Sequence, residues 1–342
     1  MEALTIGGFS EVSTAIEAHT TDGFSPAVST KITLYRPFFT NIMICGVLLS
    51  IAGVPGNVLT VGAYFKHAKL HNPTNLLILS QTIGDLLTCL LSFLFFVLNY
   101  TEAGLVMISS NKYLCLLSLG SIMMALQISS TNVLALSTER FIAVFYPFKY
   151  YTWVTDVKVT VGVVMIWSTV LLFNLLPFFG WETWTPEGYC RATQVYSPVY
   201  SQCIYLLPCA LCLVLSAFEN ILVGGMTFKK QRPVVPVGGD DQPEARAAPK
   251  VEFRVTKMLL QVVGIFYLSW LPPIVTTVLI LNSPLSWKRD GIPEWYVALN
   301  EWSKPLILLN AIANPFIYAS KNIHYKTAYC KLLGIKIVPE AH

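Results

Sequence analysis

Seven long apolar stretches divide this chain of 342 residues, at about Phe38–Phe65, Asn75–Leu98, Tyr113–Val144, Val157–Phe179, Tyr200–Phe228, Val255–Leu281 and Trp295–Ala319. Each reaches or exceeds the ~20 residues that a helix needs to cross hydrocarbon. Backbone groups there have no water to bond to, so each stretch is predicted to be a helix that satisfies itself. Between Tyr113 and Leu136 the chain carries no charge at all. Charged residues make up 12% of the whole and mean hydropathy is +0.58, against roughly 25% charged in a soluble domain. So few charges cannot cover a soluble surface. The predicted fold class is an all-α membrane protein, a seven-transmembrane helix bundle.

The segments between the stretches set the orientation. Lys66, Lys69, Lys149, Lys158, the basic run from Lys229 to Lys257, and Lys321, Lys326, Lys331 and Lys336 fall on one side. The other side carries only Lys31, Arg36, Lys112, Arg191, Lys288 and Arg289. Basic residues favour the cytoplasm, which puts the N-terminus outside and the C-terminus inside, in a multi-pass protein expected at the plasma membrane. The net charge of +4 then reports topology and gives no reason to expect a nucleic-acid partner. The expected divisions are an extracellular segment at 1–37, a bundle at 38–319 with a Pro/Gly-rich loop at about 229–250, and a short amphipathic cytoplasmic helix and tail at 320–342. Residues 1–37 lack a basic-then-apolar leader, so the first span is expected to serve as its own insertion signal.

Of eight cysteines, only Cys115 and Cys190 fall on the oxidising side away from the bilayer interior, and a disulfide between them would tie the loop over the bundle mouth; free thiols are the alternative. Cys330 follows the last span in basic surroundings, where palmitoylation or an unmodified thiol would both fit. Asn99-Tyr-Thr101 is a glycosylation sequon at the end of a span. No phosphate-cradling glycine loop, nucleophile elbow or complete metal-ligand set occurs, so no enzyme is indicated. No internal repeat or inverted halves occur either, which weighs against a transporter.

In order along the chain stand Gly56-Asn57, Asn75 with Asp85, Cys115, Glu139-Arg140-Phe141, Trp167 with Pro177, Cys190, Pro208, Trp270-Leu-Pro272 and Asn314-Pro315-Phe-Ile-Tyr318. With this ordered set the chain resembles the class A, rhodopsin-like G-protein-coupled receptors over nearly its whole length. Within that family, "KLHNPTNLLILSQTIGDLL" (69–87) and "FGWETWTPEGYC" (179–190) resemble opsins. The retinal-bearing lysine of opsins would lie seven residues before Pro315, where this chain has Leu308. Lys304, one helical turn (~6 Å) further out, is the nearest candidate. An opsin-type photoreceptor using Lys304, with Glu187 or Glu301 as counterion, is therefore the alternative to a receptor for a diffusing ligand.

The resemblance implies roles for particular residues. Glu139 and Arg140 would meet Glu252 of the sixth span in an ionic latch, whose rupture lets that span swing outward and admit a heterotrimeric G protein. Trp270 and Pro272 would form the switch at the pocket floor, and Asn314, Pro315 and Tyr318 its continuation. The tyrosine expected eight residues after Pro208 is Ser216 here. A sodium ion would sit among Asp85, Ser129, Asn310 and Asn314, whose oxygens suit a hard cation; a protonated Asp85 in a hydrogen-bond network is the alternative. The ligand pocket would be lined by Ile122, Met123, Leu126, Tyr200, Trp270, Thr277, Glu301, Lys304 and Leu308, mostly apolar with one base. Such a lining suits a lipid-like or acidic ligand.

Overall fold

The computed structural model describes residues 26–185, 190–230, 243–283, 287 and 292–335, with the side chains of 26–36, 193, 228, 230, 243–254 and 281 outside that set. Among the described residues the chain is helical, with one isolated antiparallel bridge between Glu182 and Tyr196. The long helices are α1 (Pro26–Lys66), α2 (Pro73–Tyr100), α3 (Lys112–Phe145), α4 (Asp156–Leu175), α5 (Leu207–Lys230), α6 (Pro243–Leu281) and α7 (Glu294–Lys321). A shorter α8 (Ile323–Leu332) follows. They form a seven-transmembrane bundle in which α3 packs on α2, α4, α5 and α6, and α7 closes against α1, α2 and α6.

Local chemistry starts these helices where the sequence pattern does. Asn72 accepts the Asn75 amide at 3.0 Å, and Pro73 takes the first helical position, where a missing N–H costs nothing. Asn111 caps α3 through Leu114 (3.1 Å), Thr155 caps α4 through Lys158 (3.4 Å), and Asn322 caps α8 through His324 (2.9 Å). Thr101 ends α2 and caps a short helix, Glu102–Ser110.

Six helices are long and apolar enough to cross a membrane by length and composition. The seventh falls short because it carries polar residues, and it turns them inward: Ser303, Asn310 and Asn314 are buried, and Glu301 and Lys304 are partly so. Position in the bundle follows burial. Of the most apolar window of α3, 61% is buried, against 11% for the fourth span, so α3 is the central post and α4 lies against lipid. Val164, Met165, Leu172, Leu211, Val214, Phe218 and Ile221 face outward, which is stable only in hydrocarbon. At Gly53 and Gly46 the first two helices approach so closely that an added Cβ would lie 2.4 Å from Cys89 Sγ and 2.4 Å from the Phe96 ring. Small residues allow such contact between membrane helices.

Prolines explain three of the long-range side-chain bonds. A proline cannot donate to the carbonyl four residues back, and in a membrane that carbonyl needs another partner. Pro177 frees Phe173 O, which accepts the Tyr200 hydroxyl at 3.2 Å. Pro208 follows a π-helical turn, Tyr200–Leu206, and frees Ile204 O, which accepts Gln127 Nε2 at 3.2 Å. Pro315 frees Ala311 O, which accepts Asn57 Nδ2 at 2.9 Å.

Candidate functional site

Polar side chains gather at three depths along the axis between α2, α3 and α7. At one end of the bundle, Arg140 reaches back to both carboxylate oxygens of Glu139 in a short bidentate clasp, and both residues are buried. Thr74 of α2 accepts from Arg140 at 2.8 Å and donates to Glu139 Oε1 at 2.7 Å. The Tyr150 hydroxyl, on the short helix Pro147–Trp153, donates to the same oxygen at 2.5 Å. Burial, and then the Glu139 charge, push the Tyr150 phenol up to about 12, so it stays a donor. Glu252, the expected third member of this latch, belongs to α6 but its side chain lies outside the described residues.

Next to this cluster, Ser216 Oγ lies 2.8 Å from the Tyr267 hydroxyl, which also donates to Leu213 O at 2.6 Å. The phenol absent from α5 at Ser216 is thus supplied from α6. Asn220 carries the contact on to Ser137 Oγ of α3 at 2.6 Å. Thr138 donates to both oxygens of Glu219 on α5, at 2.9 and 3.1 Å. None of these α5 and α6 partners follows from the sequence pattern.

Halfway along, Asp85 is 1% exposed and accepts three amides: Gln81 Nε2 at 2.9 Å and Asn310 Nδ2 at 3.2 Å on Oδ1, and Asn314 Nδ2 at 2.6 Å on Oδ2. The oxygens of those amides, Gln81 Oε1, Asn310 Oδ1 and Asn314 Oδ1, are buried and have no hydrogen-bond partner, and neither has Ser129 Oγ. A buried carboxylate ringed by unmet oxygens is the donor set a hard cation takes. Asp85, Ser129, Asn310 and Asn314 therefore fit the expected ion, and Gln81, which sequence reasoning passed over, stands with them. A Gln four residues before an intramembrane Asp lies on the same helix face, which was the available signal.

Trp270 is buried with Leu126, Ala125, Val133, Cys209, Phe266 and Ile307. Its indole Nε1 has no hydrogen-bond partner, and neither has the hydroxyl of buried Tyr318. Pro315 rests against α1 so closely that an added Cβ on Gly56 would sit 3.1 Å from its ring. Tyr318 lies tilted against Tyr325 (centroids 5.5 Å), Tyr325 meets Tyr329 (6.0 Å), and Tyr329 reaches Thr60 Oγ1 at 2.6 Å, which ties α7 and α8 to α1.

The residues of the expected ligand pocket fall in three buried clusters. Ile122 packs against two of them, the one around Trp270 and the one around Leu308. Met123 and Tyr200 pack with Val195 and Tyr196 of the segment between α4 and α5, and the Thr277 hydroxyl bonds its own helix at Pro273 O, 2.8 Å away. Lys304 points elsewhere. Its ammonium lies 2.6 Å from Glu301 Oε1 and 3.1 Å from the Tyr100 hydroxyl, over the rings of Tyr100 (5.5 Å) and Phe95 (5.9 Å) of α2. Tyr100 in turn makes a short bond to Glu301. The contacts of Lys304 are thus with α2 and its own helix, not with Trp270. Leu308 is likewise buried with Ile42, Cys89, Phe95, Phe96 and Ala311 on the α1–α2 side. Glu187 lies outside the described residues.

Over the mouth, a disulfide joins Cys115 to Cys190. Lys112 pairs with Glu182 at 2.5 Å, and Tyr196 donates to Leu116 O at 3.3 Å, so the loop is held to α3 at several points. Asn99 of the sequon donates to Phe95 O (2.9 Å) and Ser118 Oγ (2.5 Å), which turns its nitrogen into the bundle. Cys330 is a half-buried free thiol near the end of α8.

The profile of the 7 transmembrane receptor (rhodopsin family) matches residues 56–318. The chain belongs to that family, a class of receptors rather than enzymes. It is 24% identical over 307 residues to Melanopsin-A of Gadus morhua, which covers 85% of this chain and 51% of the melanopsin. It therefore spans about half the length of that relative. It is 24% identical over 319 residues to Adenosine receptor A2b of Homo sapiens, 86% of this chain and 90% of the receptor. With the Alpha-1A adrenergic receptor of Cavia porcellus it shares 27% over 331 residues, 86% of this chain and 67% of that receptor. Relatives of three different names at similar identity leave the ligand class to this chain's own residues.

Proposed function

We propose that the protein is a plasma-membrane receptor, N-terminus outside, that passes a ligand signal to a heterotrimeric G protein by outward movement of α6. The observation that carries this reading is the buried Glu139–Arg140 clasp held by Thr74 and Tyr150. Charges buried at a helix end persist when paired, and a guanidinium released from such a clasp offers five N–H donors to whatever enters the cleft. Glu252 would supply the bond that α6 must break to move. The Tyr267–Ser216 contact would hold α6 to α5 until it does.

Asp85, Ser129, Asn310 and Asn314 would hold a sodium ion, which would supply fixed positive charge at the bundle centre against the Asp85 carboxylate. For the ligand, the apolar surroundings of Leu126 and Trp270 favour a lipid-like molecule. Lys304, held by Glu301 and Tyr100, fits an ion-paired brace between α2 and α7 better than an anchor for an acid above Trp270 or a retinal attachment point. The deciding experiment measures nucleotide exchange on purified Gα proteins of every class by the full chain in lipid nanodiscs, beside Arg140→Ala. Exchange above background that Arg140→Ala removes supports the proposal. Wild-type exchange that Arg140→Ala leaves intact removes the clasp from the mechanism.

A further inference from the structure

We infer that Gln81 is a further ligand of the cation site around Asp85, so that a second side chain of α2 joins the shell. The inference rests on the sodium reading above and adds a residue to it. Gln81 is completely buried, one helical turn before Asp85. Its amide can be oriented in one way only: turned over, it would place Oε1 against the Oδ1 of a carboxylate that already receives Asn310 and Asn314. Nε2 therefore faces Asp85, and Oε1, bonded to the same carbon, remains beside the carboxylate with no partner.

Counting donors and acceptors sharpens the point. Around Asp85, three amide oxygens lack a donor, and against them stand two hydroxyl protons without an acceptor, those of Ser129 and, towards α8, Tyr318. Water brings two protons but also two lone pairs, so filling the space with water alone leaves the excess of acceptors in place. A small hard cation meets several oxygens at once and balances the carboxylate charge. Gln81 Oε1 is the member of that oxygen set contributed by the same helix as Asp85, so the site is held from α2 as well as from α3 and α7.

The test is a sodium titration of the full chain in nanodiscs, with melting temperature and 23Na linewidth as readouts and choline chloride holding ionic strength constant. Wild type is expected to melt higher as sodium rises. In Gln81→Met, which keeps length and loses the oxygen, the half-effect concentration is expected to rise about tenfold or more. In Gln81→Glu, which keeps an oxygen and adds charge, it is expected to fall. If Gln81→Met changes the sodium-free melting temperature but leaves the sodium midpoint unmoved, Gln81 is only a support for the carboxylate and the inference is overturned. Should Gln81→Met fail to fold, an unmoved or raised midpoint in Gln81→Glu overturns it equally. A wild type with no sodium response in either readout removes the sodium reading itself, and this inference with it.

Discussion

Two charged knots lie at opposite ends of the bundle and are built from the same three parts: a carboxylate, a base from the same helix, and a tyrosine from elsewhere. Glu139, Arg140 and Tyr150 make one; Glu301, Lys304 and Tyr100 make the other. Their supports differ. The first joins α3 to α2 and to the short helix after α3, through partners that converge on one carboxylate oxygen. The second is closed mainly within α7, by side chains three residues apart, with α2 supplying a phenol and two ring faces. Exposure differs too: the Glu139 side chain is 3% exposed, whereas Lys304 is 24% exposed. A knot whose members come from elements that can separate reports motion. One made largely within a helix travels with it and braces the neighbour it touches.

That contrast can be broken most directly at Arg140. Arg140→Ala is expected to abolish nucleotide exchange while surface expression persists, because Thr74 and Tyr150 still serve the Glu139 carboxylate. In the same assay Glu252→Ala is expected to raise ligand-free exchange, and an unchanged basal rate would remove α6 from the latch.

At the other knot the readout is stability. Lys304→Gln and Glu301→Gln should each cost about 1 kcal/mol, and the double change less than their sum, since a partly exposed pair is worth little and a stranded partner costs more. Thermal melts of the four proteins in nanodiscs decide this. Lys304→Gln that keeps its melting temperature but loses response to an acidic agonist would make the lysine a ligand anchor instead.

Smaller effects are expected at Tyr150. Removing its hydroxyl takes one donor from Glu139, worth about 1 kcal/mol. Tyr150→Phe should therefore raise basal exchange severalfold, and an unmoved basal rate would show that Thr74 and Arg140 suffice. Smallest of all is the pH response. The phenol titrates near 10 in an unfolded chain and is pushed up to about 12 here by burial and Glu139. The folded state thus holds this proton more tightly, so its contribution to stability is complete below about pH 10 and lost as pH rises through 12. Wild type and Tyr150→Phe should then show parallel melting temperatures from neutral pH to about 9 and converge only above that.

Much of the fold was legible in the sequence because the membrane leaves few choices. An apolar run of sufficient length must be a helix, and the six strongest runs became six apolar spans. The seventh was legible as a run but not as a lipid-facing one, since its polar residues turn to the interior. The acid–base pairs could be read from spacing: adjacent for Glu139-Arg140, three apart for Glu301 and Lys304. Their third partners could not. Nothing in the local pattern around Tyr100 or Tyr150 says which helix it faces, because that depends on helix rotation set by packing across the bundle. The same rotation turned Lys304 towards α2 and away from Trp270. Tyr267 escaped notice because the expectation was attached to position 216 on α5, whereas the space between α5 and α6 can be filled from either side.

The proline-freed carbonyls give the bundle an order in time. Ile204 O finds Gln127 already made, 77 residues earlier in the chain, when α5 emerges. Phe173 O waits only 27 residues for Tyr200. Ala311 O and Asn57 are 254 residues apart, so the first helix inserts carrying an amide whose distant partner does not exist until the last helix is synthesised. Until then Asn57 Nδ2 has only the Gly53 carbonyl of its own helix, 2.8 Å away, so the contact between α1 and α7 is the last of the three to form.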